Sequence, residues 1–270
     1  MAPRSKEARK ALESIIAEDK PGYVRSMFDS IAQNYDRMNW IMTGGLLAAW
    51  HRAFVKSTGL SPGDAALDVC CGTGDLAFLL ARRVGPAGSV TGLDFSRNML
   101  DIAKAREARL SPRRKAALAP IDWIQGDALD LPFDDGGEGR GFSCVSMGFA
   151  LRNVADIGRS LKEMARVARA GGRVVCLEVS RPDNPVLRAG FNLYFFRFVP
   201  LIGRLAERRA RKSNRLAKLP PYTYLPYSLE RLPPPGEILA MMRAAGLANV
   251  RRVPLTGGVV SLYIGTKQRE

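Results

Sequence analysis

The chain has 270 residues, 46% of them hydrophobic, which is enough apolar material for one α/β domain with a full core. No run of about 18 uncharged apolar residues is present, so we predict no transmembrane helix. The net charge of +15 points to an anionic partner surface, nucleic acid or lipid, or else simply to arginine-rich basic surfaces. His51 is the single histidine, which argues against Ser-His-Asp hydrolysis and against histidine-rich metal sites, and we predict no metal ion. Four cysteines in predicted buried strands indicate free thiols in a reducing compartment.

The predicted elements alternate regularly after an N-terminal helical lead over residues 23–58. Buried strands are predicted at Ala65–Cys70, Ser89–Leu93, Ile121–Gln125, Phe142–Met147, Arg173–Val179, Val250–Pro254 and Val259–Gly265. Helices are predicted at Leu76–Val84, at Asn98–Leu110 after the cap-like Ser96, at Ile157–Ala168 after Asp156, and at Gly236–Ala245. We assign residues 1–60 to the lead, which would cover the active site, and residues 61–270 to the main domain, with 185–232 as a lid or membrane-proximal insertion.

The last two predicted strands are separated only by Leu255-Thr256-Gly257-Gly258, and so short a connection makes them antiparallel. The predicted fold class is α/β, with a Rossmann-like, mostly parallel seven-stranded sheet and an antiparallel last strand. This is the plan of class I methyltransferases that use S-adenosylmethionine. A dinucleotide-binding dehydrogenase would normally continue with a sixth β-α unit instead.

A glycine turn joins the first predicted strand to the helix that follows it. Gly72-Thr73-Gly74 would bring bare backbone close to a ligand, and the helix offers free N–H groups. Asp94 ends the next strand, where a carboxylate can hold the two hydroxyls of a ribose. The pattern indicates a nucleotide-like cofactor, either a dinucleotide or S-adenosylmethionine, although a tight turn that binds nothing is the alternative.

Two further stretches follow the third and fourth predicted strands at the same rim of the sheet. Asp127 is the second residue of the first stretch, where its carboxylate can accept from the exocyclic amine of an adenine; the alternative is a helix-capping or turn-forming aspartate. The fourth strand runs into residues 148–154, which lack the Pro-Pro-aromatic sequence typical of methyltransferases that act on exocyclic nitrogens. Nucleic-acid methylation is therefore not favoured, despite the basic charge.

Several stretches of the chain resemble the quinone-biosynthesis C-methyltransferases, which methylate demethylmenaquinol, demethylphylloquinol or polyprenyl-benzoquinol rings. The matching stretches are Phe28-Asp29-Ser30-Ile31-Ala32 with Tyr35-Asp36-x-Met38-Asn39, Asp68 through Asp75, Gly92 through Ser96, Gly126 through Phe133, and Gly148 through Val154. The Leu-Arg-Asn-Val and Tyr-Asp-x-Met-Asn elements are far more specific than the glycine turn. The stretch from Gly126 to Phe133 is most similar to the naphthoquinone branch, and Tyr263 stands where benzoquinone-type members carry histidine.

The resemblance implies S-adenosylmethionine as the methyl donor and assigns residues to the donor and to the ring. The residues implied to contact the donor are Gly72, Thr73, Asp94, Asp127 and Ala128, to which we add Asp68, Gly74, Phe95 and Gly148 from the same stretches. Tyr35, Arg152 and Asn153 are implied to face the quinol ring; the alternatives are core packing for Tyr35 and a surface or helix-capping role for Arg152. Arginine does not readily release its proton, so Arg152 is better suited to stabilising phenolate charge, with or without a bound water, than to acting as a free base. Asn153 would orient that water or the ring oxygen.

The segment from Phe191 to Lys218 combines aromatic residues with a polybasic run, which is typical of an interfacial segment on anionic lipid. The alternative is a lid helix that packs its aromatic residues on the sheet. We therefore expect an enzyme with a prenylated naphthoquinol substrate and peripheral contact with an anionic membrane, no nucleic-acid partner, and a homodimer as one option. The expected location is the cytoplasm at the inner membrane, or the plastid of a phototrophic eukaryote. The alternative functions are methylation of a polyprenyl-benzoquinol and, from another class, RNA binding or modification.

Overall fold

A computed structural model describes residues 13–14, 18–29, 43–137, 140–199 and 221–269 of the chain. Its strands are β1 (Ala65–Val69), β2 (Ser89–Asp94), β3 (Ile121–Gln125), β4 (Phe142–Gly148), β5 (Ala168–Val179), β6 (Leu247–Leu255) and β7 (Val260–Lys267). They form one seven-stranded sheet in the order β3-β2-β1-β4-β5-β7-β6. The first five strands are parallel, and β7 runs antiparallel to both β5 and β6. This confirms the predicted sheet and its antiparallel last strand.

Helices lie on both faces of this sheet. They are α1 (18–29), α2 (Leu47–Thr58), α3 (Asp75–Val84), α4 (Arg97–Ala108), α5 (Pro112–Lys115), α6 (Ile157–Val167), α7 (Pro185–Leu193), α8 (Pro221–Arg231) and α9 (Pro235–Ala244). A π-helical turn, Tyr194–Phe198, extends α7. The four helices predicted within the main domain are all present, with ends shifted by at most two residues. Within the described part of the chain, no helix is both long enough and apolar enough to cross a bilayer.

Local sequence signals explain where these helices begin. The Ser96 hydroxyl accepts from the Met99 N–H at 3.2 Å, and the Asp156 carboxylate accepts from the Arg159 N–H at 2.9 Å, so both predicted caps are confirmed. Gly74 precedes α3 with a φ of 90°, and a Cβ at this position would lie 2.7 Å from the Trp123 ring. Both the left-handed backbone and the close ring require glycine here.

Two apolar layers hold the sheet between its helices. On one face, Leu67, Val145 and Val174 of the strands pack with Leu161 and Met164 of α6 and with Ile238 and Met242 of α9. On the other face, Ala66, Cys144 and Val175 pack with Leu80 of α3 and with Trp50 and Phe54 of α2. The carboxyl ends of the parallel strands remain open between these layers, and the candidate site lies there.

Several predicted strand ends are shifted, and irregular backbone explains three of the shifts. Cys70, predicted as the end of β1, lies beyond it with a φ of 56°. Strand β5 begins at Ala168 rather than Arg173, because a register shift lets its first residues pair with β4. Strand β6 begins at Leu247 rather than Val250, and a second register shift falls around Asn249, whose φ is 51°. Such bulges interrupt the alternation on which strand prediction depends.

The predicted division into lead, main domain and insertion stays a prediction. The lead contains α1 and α2, and residues 30–42 between them lie outside the described part of the chain. The insertion contains α7, the π-helical turn and α8, and residues 200–220 lie outside it as well.

Candidate active site

A cleft of about 400 Å³ opens at the carboxyl ends of β1 to β4, with α1 as its outer wall. The predicted site residues that line it are Gly72, Asp94, Phe95, Asp127, Ala128, Gly148 and Asn153. Sequence reasoning placed them at one rim because parallel strands end together there. The structure brings them together around a single cavity.

Asp94 ties the two loops at the floor of this cleft. One carboxylate oxygen accepts from the Gly72 N–H at 2.8 Å, and the other accepts from the Ser96 N–H at 2.9 Å. Burial raises the pKa of Asp94 to about 6, against these backbone hydrogen bonds, which lower it. The carboxylate is therefore fixed in place and ionised at neutral pH.

The rest of the glycine turn is held by hydrogen bonds from a single arginine. Arg106 of α4 donates to the Thr73 carbonyl oxygen at 2.8 Å, to the Thr73 hydroxyl at 3.0 Å and to the Asp75 carboxylate at 2.7 Å. Thr73 and Gly74 are thus positioned by the turn, but they are not among the residues that line the cleft. Their contact with a donor stays a prediction. Sequence reasoning missed Arg106, because its partners are more than 30 residues away.

Asp68 lies within β1 and not on the cleft surface. It is 1% exposed, and its carboxylate accepts from the Ser146 hydroxyl of β4 at 2.8 Å. Burial raises the pKa of Asp68 to about 7. Its contact with the donor stays a prediction. In the structure, its hydrogen bond with Ser146 joins β1 to β4.

Asp127 has two roles in the structure. It lines the cleft, and one of its oxygens accepts from the Leu129 N–H at 2.9 Å, which shapes the turn after β3. The adenine-binding interpretation and the turn-forming alternative are therefore compatible, since a carboxylate has two oxygens and can accept at both.

The turn after β4 is strained and closely packed. Phe149 has a φ of 56°, and its N–H donates to the Leu177 carbonyl oxygen of β5. A Cβ at Gly148 would lie 2.4 Å from a side-chain methyl group of Leu76 of α3, so a larger residue here would have to displace that side chain. This turn carries Asn153 to the cleft, and we call the part of the cleft around Asn153 its inner end; Arg152 is not among the residues that line it.

Arg152 is buried in an ion pair with Glu178 at the end of β5. The guanidinium donates to one Glu178 oxygen and the Arg152 N–H donates to the other, and the two side chains are only 8% and 0% exposed. Neither a surface nor a capping role fits this placement. Asn153 lines the cleft itself, and its Nδ2 donates to the Phe149 carbonyl oxygen at 3.3 Å. Sequence reasoning missed Glu178, although a charged residue in the buried run Cys-Leu-Glu-Val was a signal that it needed a partner.

Helix α1 is joined to the cleft by polar contacts at both ends. Near its start, Lys20 Nζ donates to the Val154 carbonyl oxygen at 2.6 Å. At its end, the Asp29 carboxylate accepts from the Ser96 hydroxyl at 2.6 Å, and the Arg25 guanidinium lies 5.1 Å from the Phe95 ring centre. Tyr35, the third residue predicted to face the ring, lies outside the described residues, and its role stays a prediction. Across the described residues, no group of three or more His, Cys, Asp or Glu side chains is placed to hold a metal ion.

Comparison with known proteins agrees with this architecture. The sequence profile of the ubiE/COQ5 methyltransferase family matches residues 15–267. A demethylmenaquinone methyltransferase of Symbiobacterium thermophilum is 44% identical over 94% of this chain and 96% of its own length, and one of Staphylococcus carnosus is 38% identical over 92% and 94%. A crystal structure of a SAM-dependent methyltransferase from Aquifex aeolicus superposes with a TM-score of 0.53 at 18% identity, covering 80% of this chain and 88% of that one. The predicted class I methyltransferase fold is confirmed.

Proposed function

Since the chain belongs to the ubiE/COQ5 methyltransferase family, we propose that it transfers a methyl group from S-adenosylmethionine to a ring carbon of a prenylated naphthoquinol. The substrate class is a demethylmenaquinol or demethylphylloquinol. One observation carries the proposal: a single cleft joins the Gly72–Asp94 floor, which suits a nucleoside, to Asn153, whose neighbour Arg152 is held in a buried ion pair with Glu178. The similarity to relatives named demethylmenaquinone methyltransferases supports it.

The residues present fit the methyl donor. A Cβ at Gly72 would meet nothing within 4 Å, so its backbone faces open space at the turn, and the Asp94 carboxylate beside it is ionised at neutral pH. Gly72, Asp94 and Asp127 would hold the nucleoside part, with Phe95 and Ala128 supplying apolar walls. When bound, S-adenosylmethionine supplies a methyl group on a sulfonium, which an electron-rich carbon attacks.

The inner end of the cleft suits activation of the ring. A quinol carbon becomes nucleophilic as the neighbouring hydroxyl loses its proton, so a group that stabilises phenolate charge lowers the barrier. Asn153 faces the cleft and would orient the ring oxygen or a water beside it. Arg152 does not line the cleft, and Glu178 holds its guanidinium. It would stabilise the phenolate charge with or without that water between them. Over the whole reaction the ring exchanges a C–H bond for a C–CH₃ bond, and one proton is released.

Helix α7 and its π-helical extension support a peripheral contact with an anionic membrane. Val186, Leu187, Leu193 and Tyr194 are 77%, 51%, 58% and 38% exposed. Their spacing of seven residues places them on one face of the helix, and the exposed Arg197 follows. Phe191 is different, because it is buried and stacks on Phe195. The polybasic residues 204–218 lie outside the described part of the chain.

This contact would let the enzyme take a prenylated quinol from the bilayer, and we place the enzyme in the cytoplasm at the inner membrane, or in the plastid if the source is a phototrophic eukaryote. A homodimer stays a prediction.

A substrate panel tests the proposed function. Purified protein is incubated with S-adenosylmethionine and, in parallel, with reduced demethylmenaquinol of short tail, a polyprenyl-benzoquinol and total RNA. We expect methylation of the naphthoquinol. Preferred methylation of the benzoquinol would show that the substrate ring is a benzoquinol and not a naphthoquinol. Methylation of RNA alone would contradict the proposal.

A further inference from the structure

Three tyrosine rings pack side by side between α1 and α8. The ring centres of Tyr23 and Tyr224 are 5.6 Å apart, and those of Tyr224 and Tyr227 are 6.3 Å apart. Val24 belongs to the same cluster and also lines the cleft. Lys20, one helical turn before Val24, donates to the carbonyl oxygen of Val154, the residue after Asn153. The tyrosine cluster, Tyr23, Tyr224 and Tyr227, therefore adjoins the cleft on the side of Asn153.

The polar atoms of this region are unusual because they have no partners. The hydroxyls of the three tyrosines are buried, and so is Asn153 Oδ1, yet none of them has a hydrogen-bond partner among the described residues. Buried polar groups in folded proteins are normally hydrogen-bonded, and leaving one unpaired costs stability. Asn153 lines the cleft, so a ligand at its inner end can supply the missing partner of Asn153 Oδ1 and of one of the three tyrosine hydroxyls.

Tyr224 is the member of the cluster best placed to meet a substrate oxygen. Its side chain is 1% exposed, and Arg152 and Glu178 are close enough to influence its ionisation. Burial raises the pKa of Tyr224 well above its usual value, so the hydroxyl keeps its proton at neutral pH and can donate it in a hydrogen bond. A donor beside a buried charge pair suits an oxygen that becomes negative during the reaction.

We propose that the Tyr224 hydroxyl donates a hydrogen bond to one hydroxyl oxygen of the quinol ring and, together with Asn153, selects the ring carbon that faces the methyl donor. This inference rests on the proposed function. The ring reaches Tyr224 when α1 moves away from α8, which breaks apolar contacts and the bond from Lys20 Nζ to the Val154 carbonyl oxygen. A ring held at one oxygen presents one edge to the donor, so Tyr224 is a specificity-determining residue for the position of methylation.

The Tyr224→Phe variant tests this, because it removes one oxygen and keeps the packing. We expect kcat/KM for the reduced naphthoquinol to fall about 10- to 100-fold, the range for a lost hydrogen bond to a charged oxygen. The Kd for S-adenosylmethionine should stay within about twofold, and the melting temperature should not fall, because an unpaired buried hydroxyl is removed. Tyr227→Phe is the matched control: its ring lies against Arg231 at 4.7 Å, and we expect wild-type kinetics.

A substrate-side comparison sharpens the test. Two naphthols are used, each with only one of the two ring hydroxyls. With the naphthol that keeps the hydroxyl bound by Tyr224, the fall in kcat/KM of Tyr224→Phe relative to wild type should persist. With the other naphthol, wild type and Tyr224→Phe should have the same kcat/KM. Equal kinetics of wild type and Tyr224→Phe on the quinol would overturn the inference and leave the proposed function intact. A variant that melts lower or loses donor affinity would also overturn it, since Tyr224 would then be structural. A wild-type protein that does not methylate the quinol would end both proposals.

Discussion

The two ends of the cleft are built differently. The donor end, around Gly72 and Asp94, is held by hydrogen bonds to main-chain groups. Both oxygens of Asp94 accept from backbone N–H groups, and Arg106 donates to the Thr73 carbonyl oxygen. At the inner end, side chains from several elements meet, and both Tyr224 and Asn153 carry buried polar atoms without partners in the described structure. The polar groups at the donor end already have partners within the chain, whereas we propose that a ligand supplies those of the inner end.

This difference shows where specificity can arise on a shared fold. In our proposal a backbone turn and one carboxylate bind a donor that many enzymes of this fold use, and we expect them to tolerate little change. The inner end depends on α1, α8 and the turn after β4, so substitutions there can change the acceptor without disturbing the sheet. The predictions that follow separate the two ends.

The largest effect is expected at the buried ion pair. Glu178→Ala should lower the free energy of unfolding by about 3–5 kcal/mol, because it leaves the Arg152 guanidinium buried without its partner. Urea denaturation measures this. The matched control is Asp183→Ala, which removes the partner of Arg252 from a pair whose acid is 70% exposed, and about 0–1 kcal/mol is expected there. An equal loss of unfolding free energy in the two variants would mean that burial does not make the Arg152–Glu178 pair more important for stability than an exposed pair.

The next effect concerns the donor end. Asp94→Ala should weaken binding of S-adenosylmethionine about 100-fold, in line with the loss of charged hydrogen bonds worth roughly 1.5–3 kcal/mol. Calorimetry measures the Kd. Asp122→Ala, an exposed carboxylate on the neighbouring β3, is the control and should bind as wild type does. Unchanged affinity in Asp94→Ala would remove this residue from the donor site.

The sequence predicted the donor end better than the inner end, for a physical reason. Gly72, Asp94 and Asp127 follow buried apolar runs, and the ends of parallel strands must meet, so their proximity followed from strand order alone. Glu178 is tied to the inner end by its pairing with Arg152, and Tyr224 by packing against α1, and no local pattern encodes such contacts between elements far apart in sequence. The turn at Cys70 escaped prediction as well, because nothing in the residue type requires its positive φ.

Acid should weaken donor binding through Asp94. Its pKa is raised to about 6, so its charge is lost as the pH falls through 6, and the affinity should drop about tenfold between pH 7 and pH 5. This is not acid unfolding at Asp94: a raised native pKa means that the folded state binds the proton more tightly, so protonation there adds stability as the pH falls towards the unfolded value of about 4. Calorimetry across this range checks the prediction. In Asp94→Asn the affinity should be low and should lack this tenfold change, and an unaltered pH profile would assign the titration to another group.

The smallest effect is expected outside the cleft. Leu193→Asp places a charge in the exposed apolar face of α7 and should reduce sedimentation with anionic vesicles about fivefold to tenfold, since burying a leucine side chain contributes roughly 1.5–3 kcal/mol and part of the contact remains. Ala105→Asp adds the same charge on α4, at the opposite edge of the sheet, and should sediment as wild type does. Turnover of a short-tailed soluble quinol should be the same in both variants. Equal sedimentation of the two variants would show that α7 does not touch the membrane.

The most direct test of the account compares the two redox states of one substrate. Wild-type protein, S-adenosylmethionine with a deuterated methyl group, and a short-tailed demethylnaphthoquinone are incubated with and without a chemical reductant, and the products are analysed by mass spectrometry. We predict a deuterated methyl group on a ring carbon of the reduced quinol and no product from the oxidised quinone, which lacks a phenolate to activate the carbon. Equal methylation of both redox states, or a methyl group on oxygen, would contradict the account.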